Sequence, residues 1–149
     1  MPGGTIAVAS DHAGFDLKEV LKRDLQAAGH AVLDLGTNSA QSVDYPDFGQ
    51  VLAEVVASGK ASRGVLVCGT GIGISIAANR NPKVRAALVH DVTSARLSRE
   101  HNDANVVAFG QRLIGSETAR EALKVFLDTK FEGGRHAGRV AKLSKDCAQ

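Results

Sequence analysis

Tryptophan is absent from the 149 residues, and tyrosine occurs once, as Tyr45. A chain so poor in large aromatics has no stacking platform for single-stranded nucleic acid. Lys and Arg number 18 and Asp and Glu 16. That balance gives no electrostatic ground for a nucleic-acid or membrane partner. The two cysteines, Cys68 and Cys147, lie far apart and form no Cys-x-x-Cys pair, so neither a zinc framework nor a disulfide scaffold is indicated. No apolar run approaches the ~18–20 residues of a membrane helix. Met1-Pro2-Gly3-Gly4-Thr5 lacks the basic region and apolar stretch of a signal peptide. These absences lead us to expect a reduced, cytoplasmic protein. The length predicts one domain over residues 1–149, with residues 132–149 as a basic C-terminal arm or short helix.

What is present alternates. Apolar runs at Ile6–Ala9, Ala31–Leu35, Val65–Val67, Val84 with Ala86–Val89, and Val106–Phe109 predict five strands. Helical spacing separates them. It is carried by Leu17, Val20, Leu21 and Leu25, then by Phe48, Val51, Leu52, Val55 and Val56 after Pro46. Ile74, Ala77 and Ala78 mark a short helix, and residues 93–99 another. Ser116 suits an N-cap before Ala119, Ala122, Leu123, Phe126 and Leu127. Strands that are nearly continuously apolar, each followed by a helix, predict an α/β, three-layer, Rossmann-like fold. Its five-stranded parallel sheet carries helices on both faces. Ligands in such sheets bind beyond the carboxyl ends of the strands.

The first such loop is Asp11-His12-Ala13-Gly14. Asp34 lies ~20 residues on, near where a dinucleotide fold places its ribose-binding acid. One glycine instead of three, and a carboxylate where pyrophosphate would sit, argue against that. Asp11 is either a helix N-cap or, with His12, acid–base or polyol-binding equipment. After the third strand, Gly69, Gly71 and Gly73 alternate around Thr70, and a helix follows. Glycines let backbone N–H groups converge on an anion there. Cys68 at the strand's end is either a buried small hydrophobe or a base or nucleophile facing the helix. His101-Asn102-Asp103 is either a polar helix end or a proton donor beside a hydroxyl-binding amide. His90-Asp91 has no His-x-x-x-His or carboxylate cluster to complete a metal site. Arg135 and Arg139, four apart, would share a helix face. They form either a solvated basic end or a phosphate clamp.

Together these segments resemble the type B ribose-5-phosphate isomerases, in the superfamily that includes galactose-6-phosphate isomerase subunits. The resemblance rests on Ser10–Gly14, Val43–Asp47, Cys68–Asn79, Leu97–Asn105 and Gly133–Val140. It implies a metal-free and cofactor-free aldose–ketose isomerase that interconverts ribose 5-phosphate and ribulose 5-phosphate through an enediolate. It also implies a homodimer or dimer of dimers with shared active sites. Carried over by motif, Cys68 is the base. Thr70 and the backbone of Gly69, Gly71, Ile72 and Gly73 hold the oxyanion. His101 opens the sugar ring, with Asp11 assisting. His12, Arg135 and Arg139 bind phosphate, Asn102 and Arg112 contact the sugar, and Tyr45 lines the pocket. Some members place a Glu base where this chain has Ile74, so Cys68 is the consistent assignment. We expect all of these on loops at one edge of the sheet, with His101 and Cys68 together and the Arg135/Arg139 arm reaching in from a neighbouring chain. Alternatives are another sugar phosphate (allose 6-phosphate, galactose 6-phosphate as one subunit, or a tetrose phosphate), a non-catalytic sugar-phosphate sensor, or a flavodoxin-like nucleotide module.

Overall fold

The computed structural model describes residues 4–144. Met1–Gly3 and residues 145–149, Cys147 among them, lie outside the described residues. Five parallel strands run in the order β2-β1-β3-β5-β4. They are β1 (Ile6–Ser10), β2 (Val32–Asp34), β3 (Arg63–Cys68), β4 (Ala86–Leu88) and β5 (Val106–Gly110). The helices are α1 (Phe15–Ala27), α2 (Tyr45–Ala57), α3 (Ile72–Ala78), α4 (Val92–Glu100), α5 (Ser116–Asp128) and α6 (Arg135–Leu143). The α/β, three-layer prediction is met. Every predicted strand is present, with β2 and β4 shorter than their apolar runs.

The alternation of side chains across the strands builds two cores. Val8, Val65, Val67, Val107 and Phe109 face α1, α4 and α5, meeting Leu21, Ala95, Ala122 and Phe126. Ala7, Ala9, Leu66, Cys68 and Ala108 face α2 and α3, meeting Leu52, Val56, Ile74 and Ala78. Both faces of the central strands are buried, which is why those strands read as continuous apolar runs.

Some expectations shift. Val20 is half-buried. The buried side of α1 includes Lys18 instead, which is wholly inaccessible and held at 2.8 and 2.9 Å by the Asp34 carboxylate. Val51 of α2 is exposed, and Gly49 and Ala53 take the inner positions. Gly115 caps α5, and Ser116 is the first helical residue. The basic arm forms a helix, α6, despite Gly138 within it. Among the described residues no helix is long and apolar enough to cross a membrane.

Candidate active site

The strand order reverses between β1 and β3, because the chain passes from β1 outward to β2 and then returns to the other side of β1. The crevice at such a switch point is the natural ligand site of an open parallel sheet. Two loops meet there. The Asp11 N–H donates to Val67 O at 3.3 Å. Gly14 lies so near β3 that a Cβ would come within 2.5 Å of the Val67 carbonyl. Asp11 caps this turn, its Oδ1 accepting from the Gly14 N–H at 3.1 Å, and only 6% of the residue is exposed. The N-cap reading of Asp11 is therefore met as structure, and its buried carboxylate stands at the crevice. His12 accepts from the Val43 N–H at Nδ1, 3.1 Å. That bond places the neutral ring's proton on Nε2, leaving a donor on its far side.

Cys68 is the last residue of β3 and is 4% exposed, with its side chain in the core under α2 and α3. It thus packs as a small hydrophobe, yet its sulfur also accepts from the Gly71 N–H at 3.1 Å. Gly71 makes this possible. Its φ of +77° turns the chain from strand to helix, and a Cβ there would lie 2.6 Å from Leu88. Thr70 Oγ1 accepts from the Ile72 N–H at 3.2 Å, which shapes the same turn. Neighbouring loops close around it. The Gln111 N–H donates to Cys68 O and the Arg112 N–H to Gly69 O, both at 2.9 Å. The Arg112 guanidinium lies over Gly69, where an added Cβ would meet Nη1 at 3.1 Å. Tyr45 lies against Gly73, and it is exposed, as is Ile72. Asp11, His12, Tyr45, Cys68, Gly69, Thr70, Gly71, Ile72, Gly73 and Arg112 therefore share the carboxyl edge of the sheet.

His101, Asn102, Arg135 and Arg139 do not, which corrects the expectation of a single edge. The reason is topological. Helix α4 returns antiparallel to the strands it joins, so the residues after it stand where β5 begins. Cys68 pairs with Gly110 at the far end of β5, and Gly64 with Val106 at the near end. Val106 to Gly110 spans about 13 Å at the rise of a parallel strand. His101 and Cys68 of one chain are thus held apart by the length of the sheet. The expectation that these two sit together, with only the arginines elsewhere, is replaced. His101 belongs with the arm, its ring stacked on that of His136 with centroids 4.4 Å apart. The Glu132 N–H donates to Glu100 O at 3.1 Å, tying the arm to the end of α4. Arg135 and Arg139 project from α6 into solvent, four residues apart as the clamp reading requires. Asn102 lines a cleft of about 420 Å³ with Asn81, Arg85 and Leu143.

The turn that presents His101 and Asn102 depends on Asp103 and on two arginines, Arg85 and Arg99. Asp103 has φ +47°, a left-handed conformation that Asp tolerates better than most residues. Its Oδ1 accepts from Arg99 Nη1 at 2.8 Å, and its carbonyl accepts from Arg85 Nε at 2.8 Å. Arg99 is 3% exposed and also donates to Ala104 O and Thr129 O. No local residue pattern marks it, because its partners are loop carbonyls and the Asp103 carboxylate. Asp91 caps α4 by accepting from the Ser94 N–H at 2.6 Å.

The family model described as Ribose/Galactose Isomerase matches residues 6–143. The chain is 45% identical over 139 residues to ribose-5-phosphate isomerase B of Escherichia coli (strain K12), covering 93% of each protein. It is 42% identical over 140 residues to D-erythrulose-4-phosphate isomerase of Pectobacterium atrosepticum, covering 93% of this chain and 92% of that protein. The solved structure of Clostridium thermocellum ribose-5-phosphate isomerase B superposes with a TM-score of 0.93 at 48% identity, over 94% of this chain and 95% of that one. A match that spans the whole sheet, both edges and α6 places this chain in the ribose/galactose isomerase family.

Proposed function

We propose that the protein is a cytoplasmic aldose–ketose isomerase that interconverts D-ribose 5-phosphate and D-ribulose 5-phosphate, within one domain and with active sites shared between two chains. The observation that carries the reading is Cys68. It stands at the switch point with the Gly71 N–H on its sulfur, inside a glycine turn that opens a helix.

Isomerisation moves one proton from C2 to C1 of the open-chain sugar and a second from the C2 hydroxyl to the C1 oxygen, through the enediolate. The base must reach both carbons, and charge develops on the adjoining oxygen. Cys68 Sγ takes the C2 proton and returns it to C1. The Gly71 N–H offsets negative charge on the sulfur, and donors at the Gly69–Gly73 turn with the Thr70 hydroxyl face the enediolate oxygen. A fixed donor of this kind is worth about 3 kcal/mol of barrier where one has been removed from other enzymes. Before that step the furanose must open. His101 protonates the ring oxygen, and Asp11 takes the hydroxyl proton. His12 Nε2, Arg135 and Arg139 hold the phosphate. That remote grip fixes the reacting carbons against Cys68. Asn102 and Arg112 bind hydroxyls, and Tyr45 closes the side of the pocket.

Because one chain separates the two groups of residues, a complete site needs the carboxyl edge of one chain and the amino edge of another. A two-fold dimer would form two such sites. Apolar side chains exposed on α2 and α3 (Tyr45, Val51, Ile72 and Ile76) support such an association. The name of the Pectobacterium relative supports a second reading in which the chemistry is kept and the substrate is a tetrose phosphate.

The test is proton NMR in deuterated water with EDTA present. C2–H exchange and ketose formation are followed for ribose 5-phosphate, allose 6-phosphate, galactose 6-phosphate and erythrose 4-phosphate. Rapid exchange with ribose 5-phosphate is expected. Exchange with a different sugar alone would change the substrate, and exchange with none would overturn the reading.

A further inference from the structure

Two histidines and two carboxylates converge at the amino edge of the sheet, drawn from three segments. His101 follows α4, Glu132 stands in the loop between α5 and α6, and His136 lies in the first turn of α6. Their ligand-competent atoms all lie within 4.8 Å of one another. The two imidazoles stack with 15° between their planes, and Glu132 Oε1 is 3.7 Å from His136 Nε2. The His136 side chain is 8% exposed, and among the described residues its Nε2 has no hydrogen-bond partner. A buried nitrogen left unpaired carries a desolvation cost and calls for an explanation. The Glu100 carboxyl adjoins that of Glu132, so a second acid stands behind the first.

We infer that His101, Glu132 and His136 form an inhibitory Zn²⁺ site, with two imidazole nitrogens and one carboxylate oxygen as its protein ligands. The inference that zinc inhibits rests on the role proposed for His101; the inference that zinc binds does not. The donor set selects the ion. Two nitrogens and one oxygen suit zinc, whereas calcium and magnesium seek oxygen-rich shells. Zinc bonds of about 2.0–2.2 Å require the three ligand atoms to draw closer. Glu132 is half-exposed and His101 partly so, and rotation of the rings about their Cβ–Cγ bonds meets a broad, shallow potential. Burial, then Arg135 and His101, hold His136 below its ordinary value of 6.5. Metal binds the neutral imidazole. Charges around the cluster oppose one another. Arg135 and Arg139 disfavour a cation, while Glu100 and Glu132 favour it, and Arg96 is already engaged by Glu100 at 2.5 Å. Bound zinc occupies the nitrogen with which His101 would donate its proton, so ring opening stops.

The experiment uses the full-length protein, treated with EDTA and then exchanged into chelator-free buffer. Zn²⁺ binding is measured by competition with a chromophoric chelator, and inhibition by isomerase turnover. The wild type is expected to bind one Zn²⁺ per chain and to lose turnover that excess EDTA restores. Glu132→Gln removes an exposed ligand outside the proposed catalytic machinery. It should keep its EDTA-treated turnover yet need at least roughly tenfold more zinc in both assays, the scale on which even outer partners of metal ligands act. Equal zinc binding and inhibition in Glu132→Gln, or no binding by the wild type, would overturn the site. Co²⁺ provides a second readout. Its spectrum should lack a thiolate-to-cobalt band, and such a band, lost in Cys68→Ala, would place the metal on Cys68 and overturn the inference. Absence of turnover on every sugar phosphate in EDTA would refute the proposed function while leaving the zinc titration decisive.

Discussion

The separation of Cys68 from His101 makes a prediction about mixtures of inactive chains. Cys68→Ala removes the proposed base, and His101→Asn removes the proposed ring-opening acid, a role typically worth about 10²–10⁴ in rate. Each variant alone should be nearly inert. In a two-fold dimer of composite sites, a heterodimer of the two holds one site with both substitutions and one with neither. Random reassortment of equal amounts makes half of the dimers mixed, and half of their sites intact. Turnover should therefore return to about one quarter of wild type. A second mixture controls for assembly. Wild type mixed equally with the Cys68→Ala/His101→Asn double variant should also retain about one quarter, because every heterodimer site then carries one substitution. Were both residues drawn from the same chain, the first mixture would stay inert and the second would retain about one half. Chains are dissociated in mild denaturant, renatured together and assayed on ribose 5-phosphate, with native mass spectrometry confirming heterodimers. An inert first mixture in which heterodimers are present would refute the two-chain site.

Cys68→Ala should abolish turnover while leaving the melting temperature near that of wild type, since alanine fits the same small core position; wild-type-like turnover would remove Cys68 from the mechanism. Gly14→Ala forces a Cβ to within 2.5 Å of the Val67 carbonyl, so it should destabilise the fold by about 1–3 kcal/mol or more, read by urea unfolding. Lys18→Met takes the one buried cation from the partly exposed Asp34 cluster. Lys22, 2.9 Å from Asp34, still compensates, so the loss should be roughly 3 kcal/mol, at the low end for a broken buried pair. Asp34 also predicts acid sensitivity. Burial pushes its carboxyl up, but hydrogen bonds from Lys18, Lys22 and the Gly36 N–H outweigh burial and hold it below its ordinary value of 3.8. A depressed value contributes stability that is fully present above 3.8 and is lost as pH falls through the folded value. Unfolding midpoints of Asp34→Asn should accordingly fall less steeply below that pH than those of wild type.

Much of this protein was legible in its residue order. Near-continuous apolar runs such as Val65–Val67 and Val106–Phe109, each followed by helical spacing, determine a doubly covered parallel sheet, because only strands buried on both faces read that way. The glycine turn after Cys68 and the acid–histidine pair after β1 were equally visible, since local backbone demands leave local residue types. Their meeting at the switch point follows from strand order, which lies beyond any single motif. Lys18 was hidden because its burial depends on Asp34, sixteen residues away, and Arg99 because its partners are carbonyls of loops that the fold brings to it. The largest difference concerned His101. Its motif suggested the role proposed for it, but its place depended on α4 returning against the strands, which carries it to the opposite end of the sheet from Cys68. Sequence by itself determined the fold class and the motifs on which the proposed chemistry rests. Tertiary structure decided which of them share an edge, because strand direction and crossover, rather than residue type, set where each loop ends.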